Sequence, residues 1–382
     1  MLTRLSALLL LCLLLSPIQG WAQQLRFRIV SYNVENFFDC TDHPQKADDE
    51  YLPHGLRHWT PRRYRHKLNE VAKTLLALGH DGEAPALVGL CEVENDTVLH
   101  ALTRQSPLRN VGYRYVITSS ADVRGINIAL LYRPDCFRLL SVHSIRANLP
   151  GQRPTRDVLH VSGTFITPSA TSDTLDLFML HLPSRMGGTH ETTPYRLHVA
   201  QAVRTAIDSL SRVRRRPNLL VMGDFNETPT GPALTQALQA RPLPGHRHAT
   251  TSQTDLQPSA TTPSASTPLY QLLSPRHPSS LPAIKGSYKY QGHWELIDHL
   301  LAGGALLQAP RSSSSTGDGP QQTTSRGHLH LLPETAQVAP LPFLITADLN
   351  YGGQCPLRTY YGATYLGGYS DHLPLTVELI VE

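Results

Sequence analysis

Six short stretches of the chain each follow an apolar run and end in side chains that bind metals or phosphates. They are SYNVEN with Asn33, LCEVEN with Glu92, LHLPSR with His181, GDFN with Asp224 and Asn226, LIDHLL with Asp298, and YSDHLPL with Asp371 and His372. Hydrolysis of a phosphate ester needs a bound cation to neutralise phosphate oxygens, an oriented water, and a proton source for the leaving group. Carboxylates such as Glu92 and Asp371 are hard oxygen donors suited to Mg²⁺, with Mn²⁺ or Ca²⁺ as alternatives. Amides such as Asn33 and Asn226 fix a carboxylate, a water or a phosphate oxygen without adding charge.

Other polar residues have competing readings. Arg124 precedes a strand-like run and could reach a substrate phosphate, or could simply be solvated. Arg185 follows His181 and Ser184, and its guanidinium fork suits a phosphate. Tyr288 and Trp294, close to Asp298, fit either stacking on a base or sugar, or core packing. His299 should face away from Asp298 by the two-residue period of a strand. Glu35 reads as a salt-bridged surface acid, Glu94 and Asn95 as loop residues, and Asp348 and Asn350 as a turn. The stretch from His246 to His248 reads as loop surface.

The elements that must position these residues are legible as apolar runs. Strand-like runs cover 26–34, 86–93, 113–119, 127–134, 158–166, 175–183 and 218–225. Thr60-Pro61 opens a helix, since threonine is a good N-cap and proline is favoured at the first helical position. Tyr64, Leu68, Val71, Leu75 and Leu78 then give it one apolar face. A second helix begins at Pro194, with Leu197, Ala200, Val203, Ile207 and Leu210 on one side. The last run, 367–380, ends in a strand. Strands and helices mix without strict alternation, which favours stacked sheets flanked by helices over a doubly wound parallel sheet.

The polar stretches 241–282 and 311–326 read as surface insertions in one domain, 23–382, because motif-bearing strands lie on both sides. Residues 1–22 read as a signal peptide: Arg4 precedes a short apolar run, and Gly20 and Ala22 supply small residues for cleavage. The run is too short to remain as a membrane anchor. The protein is therefore expected to be exported, periplasmic or secreted. Cys40, Cys91, Cys136 and Cys355 lack paired metal spacing, so a thiolate zinc site is disfavoured; one or two disulfides in an oxidising compartment are the alternative to free thiols, which are favoured. A formal net charge of +4 is too mild to mark a dedicated nucleic-acid stripe.

Taken in order from Asn33 to His372, the motifs resemble the endonuclease/exonuclease/phosphatase superfamily, with its deoxyribonuclease-I-like fold. The combination of GDFN, SDHLP and a strand-terminal glutamate after N-V-x-N carries the resemblance, which spans nearly the whole chain beyond the leader. It implies an α+β fold, a four-layer αββα sandwich of two mixed sheets with outer helices. It implies that Glu92 is the principal metal ligand, supported by Asn33 and Asp371. Asp224 would orient or deprotonate the attacking water, Asn226 would grip the phosphate, and His372 would bind it, paired with Asp298. His181 would assist the leaving oxygen, which leans towards the nuclease and phospholipase branches. The implied activity is a metal-dependent, nuclease-like phosphodiesterase (endonuclease). The alternatives are a phosphomonoesterase, a phospholipid or sphingomyelin-type diesterase, and a non-catalytic binding module. The partner would be nucleic acid or another phosphate ester; a monomer without a stable protein partner or transmembrane anchor is expected.

Overall fold

The structure is a computed structural model that describes residues 25–149, 151, 153–167, 171–214, 217–244, 267–274, 281, 283–308 and 327–381. The proposed leader, the stretch from His246 to His248 and the segment 311–326 lie outside the described residues. The chain begins with β1 (Arg26–Phe37), α1 (Pro61–Ala77), β2 (Leu87–Val93), α2 (Asp96–Arg104), β3 (Arg114–Ile117) and β4 (Asn127–Tyr132). Next come β5 (Phe137–Ile145), β6 (Val158–Ile166), β7 (Thr171–His181), α3 (Thr189–Val213), β8 (Asn218–Asp224), β9 (Ala240–Pro242) and β10 (Leu269–Gln271). It continues with β11 (Tyr288–Tyr290), β12 (His293–Glu295), β13 (Asp298–Gly303) and β14 (Leu329–Val338). The last strands are β15 (Ile345–Ala347), β16 (Gln354–Pro356), β17 (Tyr360–Tyr361), β18 (Thr364–Tyr365) and β19 (Leu375–Val381).

Two mixed sheets carry the architecture. The first is six-stranded, in the order β14-β19-β1-β2-β4-β3, and the second seven-stranded, in the order β5-β6-β7-β8-β13-β10-β9. The two-residue period of β1 sends Phe27 and Ile29 towards the second sheet, where Leu177, Met179, Leu220 and Met222 meet them. The alternate residues Val30 and Tyr32 face outward to Leu68, Val71 and Leu75 of α1 and to Val98 and Leu99 of α2. Phe178, Leu180, Leu219 and Val221 of the second sheet likewise meet Val199, Val203 and Ile207 of α3. The result is the expected four layers, helix, sheet, sheet, helix.

Local chemistry accounts for the helices. Thr60 caps α1 by accepting from the Arg63 amide, and Pro61 takes its first position. Full burial of Val71 and Leu75 stabilises the contact by roughly 1.5–3 kcal/mol for each side chain. Asn95 is the N-cap of α2 rather than a loop residue, accepting from the Val98 amide at 3.0 Å. Helix α3 starts at Thr189, five residues before the predicted start, and contains Pro194. Proline is an N-terminal signal only by preference; here Gly188 and Thr192 start the ladder earlier, with Thr192 N bonded to Gly188 O.

Three further departures have physical causes. In strand β5 only Phe137 is buried because the strand is the edge of the second sheet, so it lacks a continuous apolar run. Strand β14 contains Pro333 and shifts register against β19 between Leu332 and Gln337, as a proline at a sheet edge requires. The stretch 241–282 is not wholly a surface insertion: β10 pairs with β13, and Leu272 and Leu273 are buried. The four cysteines from Cys40 to Cys355 are free. Among the described residues, no helix is long and apolar enough to cross a membrane.

Candidate active site

Each sheet contains one parallel pair whose connection includes a helix: β1 with β2, and β7 with β8. The functional side chains sit at or near the carboxyl ends of these pairs. In the second sheet the register places His181 opposite Asp224, and Asp224 opposite Asp298 on β13. Three strands thus present one row of polar side chains. Gly223 makes this row possible. Its φ is +140°, and a Cβ there would lie 1.9 Å from the Leu180 carbonyl oxygen, so glycine precedes the aspartate of GDFN for a steric reason.

In the first sheet the ladder breaks. Register shifts occur in β1 between Asn33 and Phe37, and in β2 between Cys91 and Val93. Glu35, Asn36 and Glu92 adopt φ values of 51°, 48° and 67°, the left-handed region disfavoured for non-glycine residues. The bulge turns Glu92 back towards β1. Its carboxylate accepts from Asn33 Nδ2 at 3.3 Å and from the Asn36 amide at 2.8 Å. Asn33 Nδ2 also reaches Asp224 Oδ2 at 3.1 Å, joining the two sheets.

His372 closes the site from the C-terminal motif. Its Nδ1 lies 2.8 Å from Asp298 Oδ2, and Ser287 Oγ donates to the same oxygen at 2.6 Å. Its Nε2 faces Asp224 Oδ2 at 3.8 Å. His181 Nε2 approaches that oxygen from another side, at 3.4 Å. A cleft of about 740 Å³ lies over these groups and is also lined by Glu92, Arg124, Arg185, Asn226 and Asp371.

The two histidines are pushed in opposite directions. Burial opposes a charge on His372, but Asp298 and Asp224 outweigh it and raise the imidazole well above its ordinary range. Burial, then Arg156, Arg124 and His372, hold His181 well below that range. Burial also raises Asp224; His372 opposes the rise, while Asp298 and Glu92 add to it. The arrangement thus offers one imidazole that favours its protonated form, one that favours its neutral form, and crowded carboxylates around one cleft.

The profile of the Endonuclease/Exonuclease/phosphatase family matches residues 28–380. The chain belongs to the endonuclease/exonuclease/phosphatase family. It is a divalent-metal-dependent hydrolase of phosphoric esters, as the family is. No curated protein matches it in sequence. Among solved structures it is similar to ANGEL2, a 2',3'-cyclic phosphatase, with TM-score 0.53 and 15% identity, covering 94% of this chain and 97% of that one. A family protein from Bacteroides thetaiotaomicron superposes with TM-score 0.49 at 15% identity, covering 94% and 99%. The human Nocturnin catalytic domain gives 0.49 at 13%, covering 94% and 96%.

The family's divalent cation fits the donors present. The ligand atoms of Asp224, Asp298 and His372 lie within 4.8 Å of one another. Asp298 Oδ2 is already engaged by both Ser287 and His372, so this trio reads better as a hydrogen-bonded relay. Glu92 and Asp371 also line the cleft. Among the described residues the Asp371 carboxylate accepts no hydrogen bond; burial, and after it the Asp371 charge, push up the Glu35 carboxyl. Hard oxygen donors crowded in this way suit a divalent cation.

The remaining sequence candidates divide. Asn226 lines the cleft, while its Nδ2 donates to Leu182 O at 3.1 Å and its amide to Asp224 Oδ1 at 2.8 Å. Arg124 is on the rim, 3.6 Å from Asp122. Arg185 forms a fork with Glu295, one arm at 3.0 Å, so part of its charge is already compensated. The Tyr288 ring sits 4.8 Å from that of His372; Trp294 packs against a separate core cluster. His299 is buried and bonded to Glu227 O at 2.8 Å. Asp348 accepts from the Asn350 and Tyr351 amides, as a turn would.

Glu35 is not a surface acid. It is buried and accepts from the Thr359 and Tyr360 amides at 2.6 and 3.2 Å. Glu94 is buried as well, taking the Asp39 amide at 2.6 Å, and burial pushes its carboxyl up to about 8. Sequence reasoning also passed over Ser287 and Arg156. Arg156 is buried, pairs with Asp122 at 3.1 Å, and donates to the His181 and Leu182 carbonyls. Neither stands in a motif: Ser287 reaches Asp298 across the β11–β12 hairpin, and Arg156 reaches partners 25 or more residues away; an arginine just ahead of β6 was the only available hint.

Proposed function

We propose that the protein is a nuclease-like phosphodiesterase, an endonuclease acting outside the cytoplasm with Mg²⁺ as its cation. The observation that carries this reading is the cleft itself. It joins His181 and His372 on either side of Asp224, with Arg124 and Arg185 on its margin. Cationic margins favour a substrate whose negative charge extends beyond the scissile phosphate. The leader-like segment 1–22 supports export, and the oxygen donors support Mg²⁺ over softer metals.

The residues divide the work. Glu92 and Asp371 would hold the divalent cation, which when bound would supply positive charge to the phosphate oxygens. Asn33 holds Glu92 and Asp224 in place through its amide. Asp224 accepts a proton from the attacking water as that water's oxygen bonds to phosphorus. Asn226 and protonated His372 hydrogen-bond the phosphate oxygens, and Asp298 keeps His372 charged and oriented. The bond from phosphorus to the leaving sugar oxygen breaks. Neutral His181 offers that oxygen a hydrogen bond, and the proton that completes it comes from solvent.

The test is hydrolysis of plasmid DNA, RNA, phosphomonoesters, phosphoinositides and sphingomyelin by purified protein, with Mg²⁺ and with chelator. Internal cleavage of a polynucleotide that chelator abolishes is expected. Turnover of monoesters or lipids with no cut in DNA or RNA replaces this reading with a phosphatase or phospholipase one. Fractionation of the producing cell checks export.

A further inference from the structure

Beyond Tyr288 and Tyr290 the catalytic cleft meets a second one, of about 530 Å³, that shares both tyrosines as lining. Its other walls come from the hairpins β15–β16 and β17–β18 and include Tyr351, Arg358 and Tyr361. Three of its rings are unusually open for tyrosine: Tyr290, Tyr351 and Tyr361 are 56%, 54% and 50% exposed. Its two cations differ. Lys289 is compensated by Asp348 at 2.7 Å and by the Gly352 carbonyl. The Arg358 guanidinium, among the described residues, donates no hydrogen bond and makes no close ion pair; burial opposes its charge, Asp371 and Glu35 more than offset that, and it lies 5.8 Å from the Tyr361 ring centroid.

Arg358 is nonetheless firmly placed. The next two amides along the chain, of Thr359 and Tyr360, are bound by the Glu35 carboxylate. Lys67 Nζ donates to Thr359 Oγ1 at 2.5 Å, and the Glu35 amide donates to Asn33 Oδ1 at 3.0 Å. One frame therefore holds both the catalytic strand end and this arginine. A rigidly presented guanidinium whose N–H groups are unused by hydrogen bonds among the described residues can accept a phosphate, whose geometry it matches.

We propose that this second cleft binds the nucleotide adjoining the scissile phosphate on a single strand, with its phosphate on Arg358 and its base on the Tyr361 ring. The assignment rests on the nuclease reading above and deepens it by naming the strand state. Exposed tyrosine faces can stack only on bases already out of a duplex, whereas paired bases offer no free face.

The experiment compares a single-stranded oligonucleotide, its blunt duplex and bis(4-nitrophenyl) phosphate, which is too short to span both clefts. For Arg358→Ala and Tyr361→Ala, the ratio of oligonucleotide KM to small-diester KM is expected to rise about tenfold. Arg358→Lys should recover part of that loss, and wild type should prefer the single strand. Arg358→Gln replaces the alanine variant if the latter melts well below wild type. An unchanged ratio overturns the subsite while leaving the nuclease reading intact, and so does an equal loss on both substrates. Equal KM for strand and duplex overturns the single-strand assignment. A wild type that hydrolyses the small diester but no oligonucleotide overturns the nuclease reading itself, and the nucleotide subsite with it.

Discussion

In the second sheet, site residues emerge from unbroken register: His181, Asp224 and Asp298 are direct neighbours across β7, β8 and β13. In the first sheet they emerge from broken register, with Glu35, Asn36 and Glu92 in the left-handed region around two bulges. The unusual backbone inside the second sheet's row falls on Gly223, which tolerates it. Inside the first it falls on charged and amide side chains that do not. A regular ladder can align groups about 4.8 Å apart, the spacing of strands, which suits a relay of hydrogen bonds. Turning a carboxylate back across a strand end takes a bulge, with strain of order 1–3 kcal/mol per residue. His181, Asp224 and Asp298 thus lie on the relaxed sheet, while Glu92 and, just ahead of β19, His372 come from the sheet with the broken ladder.

The strongest way to break this division is to remove its relay. Asp224→Ala or His372→Ala should lower kcat by about 10³-fold or more, with an unchanged melting curve; activity within a few-fold of wild type would refute the assigned roles. Next, Gly223→Ala should cost about 3 kcal/mol or more of unfolding free energy, because the nearest obstacle to its Cβ is backbone at 1.9 Å. Denaturant titration reads it directly, and a near-neutral result would show that the row does not depend on glycine.

Asp298→Asn should lower kcat roughly 10–100-fold and move the pH profile. Asp298 raises His372, so the activity that depends on protonated His372 is lost as pH rises through a raised value. Without that charge the loss should begin at lower pH; an unmoved alkaline limb would exclude His372 as the charged group. The smallest effect concerns strain alone. Glu92→Ala and Glu92→Gly should both abolish metal-dependent turnover. In chelator, the glycine variant should be the more stable by about 1 kcal/mol, since only glycine relaxes at a φ of 67°.

Legibility followed the same division. Strands with continuous apolar runs, such as β2, β4 and β8, were readable, whereas the edge strands β5 and β14 were not. The residues at strand ends in N-V-x-N, GDFN and SDHLP were visible as motifs. Their supports were not: Ser287 touches Asp298 because the β11–β12 hairpin folds the chain back, and Arg156 touches His181 O only once β6 and β7 have paired. Glu35 was misread for the same reason. Its offset from Asn33 is compatible with solvent, and only the approach of Thr359 and Tyr360 buries it.

By itself, the sequence determined the layer plan and which side chains meet at one end of it. Hydrophobic periodicity selects faces, and local motif chemistry selects strand ends. Tertiary structure decided the rest: that His372 is pushed towards its charged form and His181 towards its neutral one, that the Arg358 side chain lines a second cleft, and that Glu92 sits on a strained bulge. Those properties depend on burial and on charges brought together across the fold, and neither quantity exists until the two sheets pack.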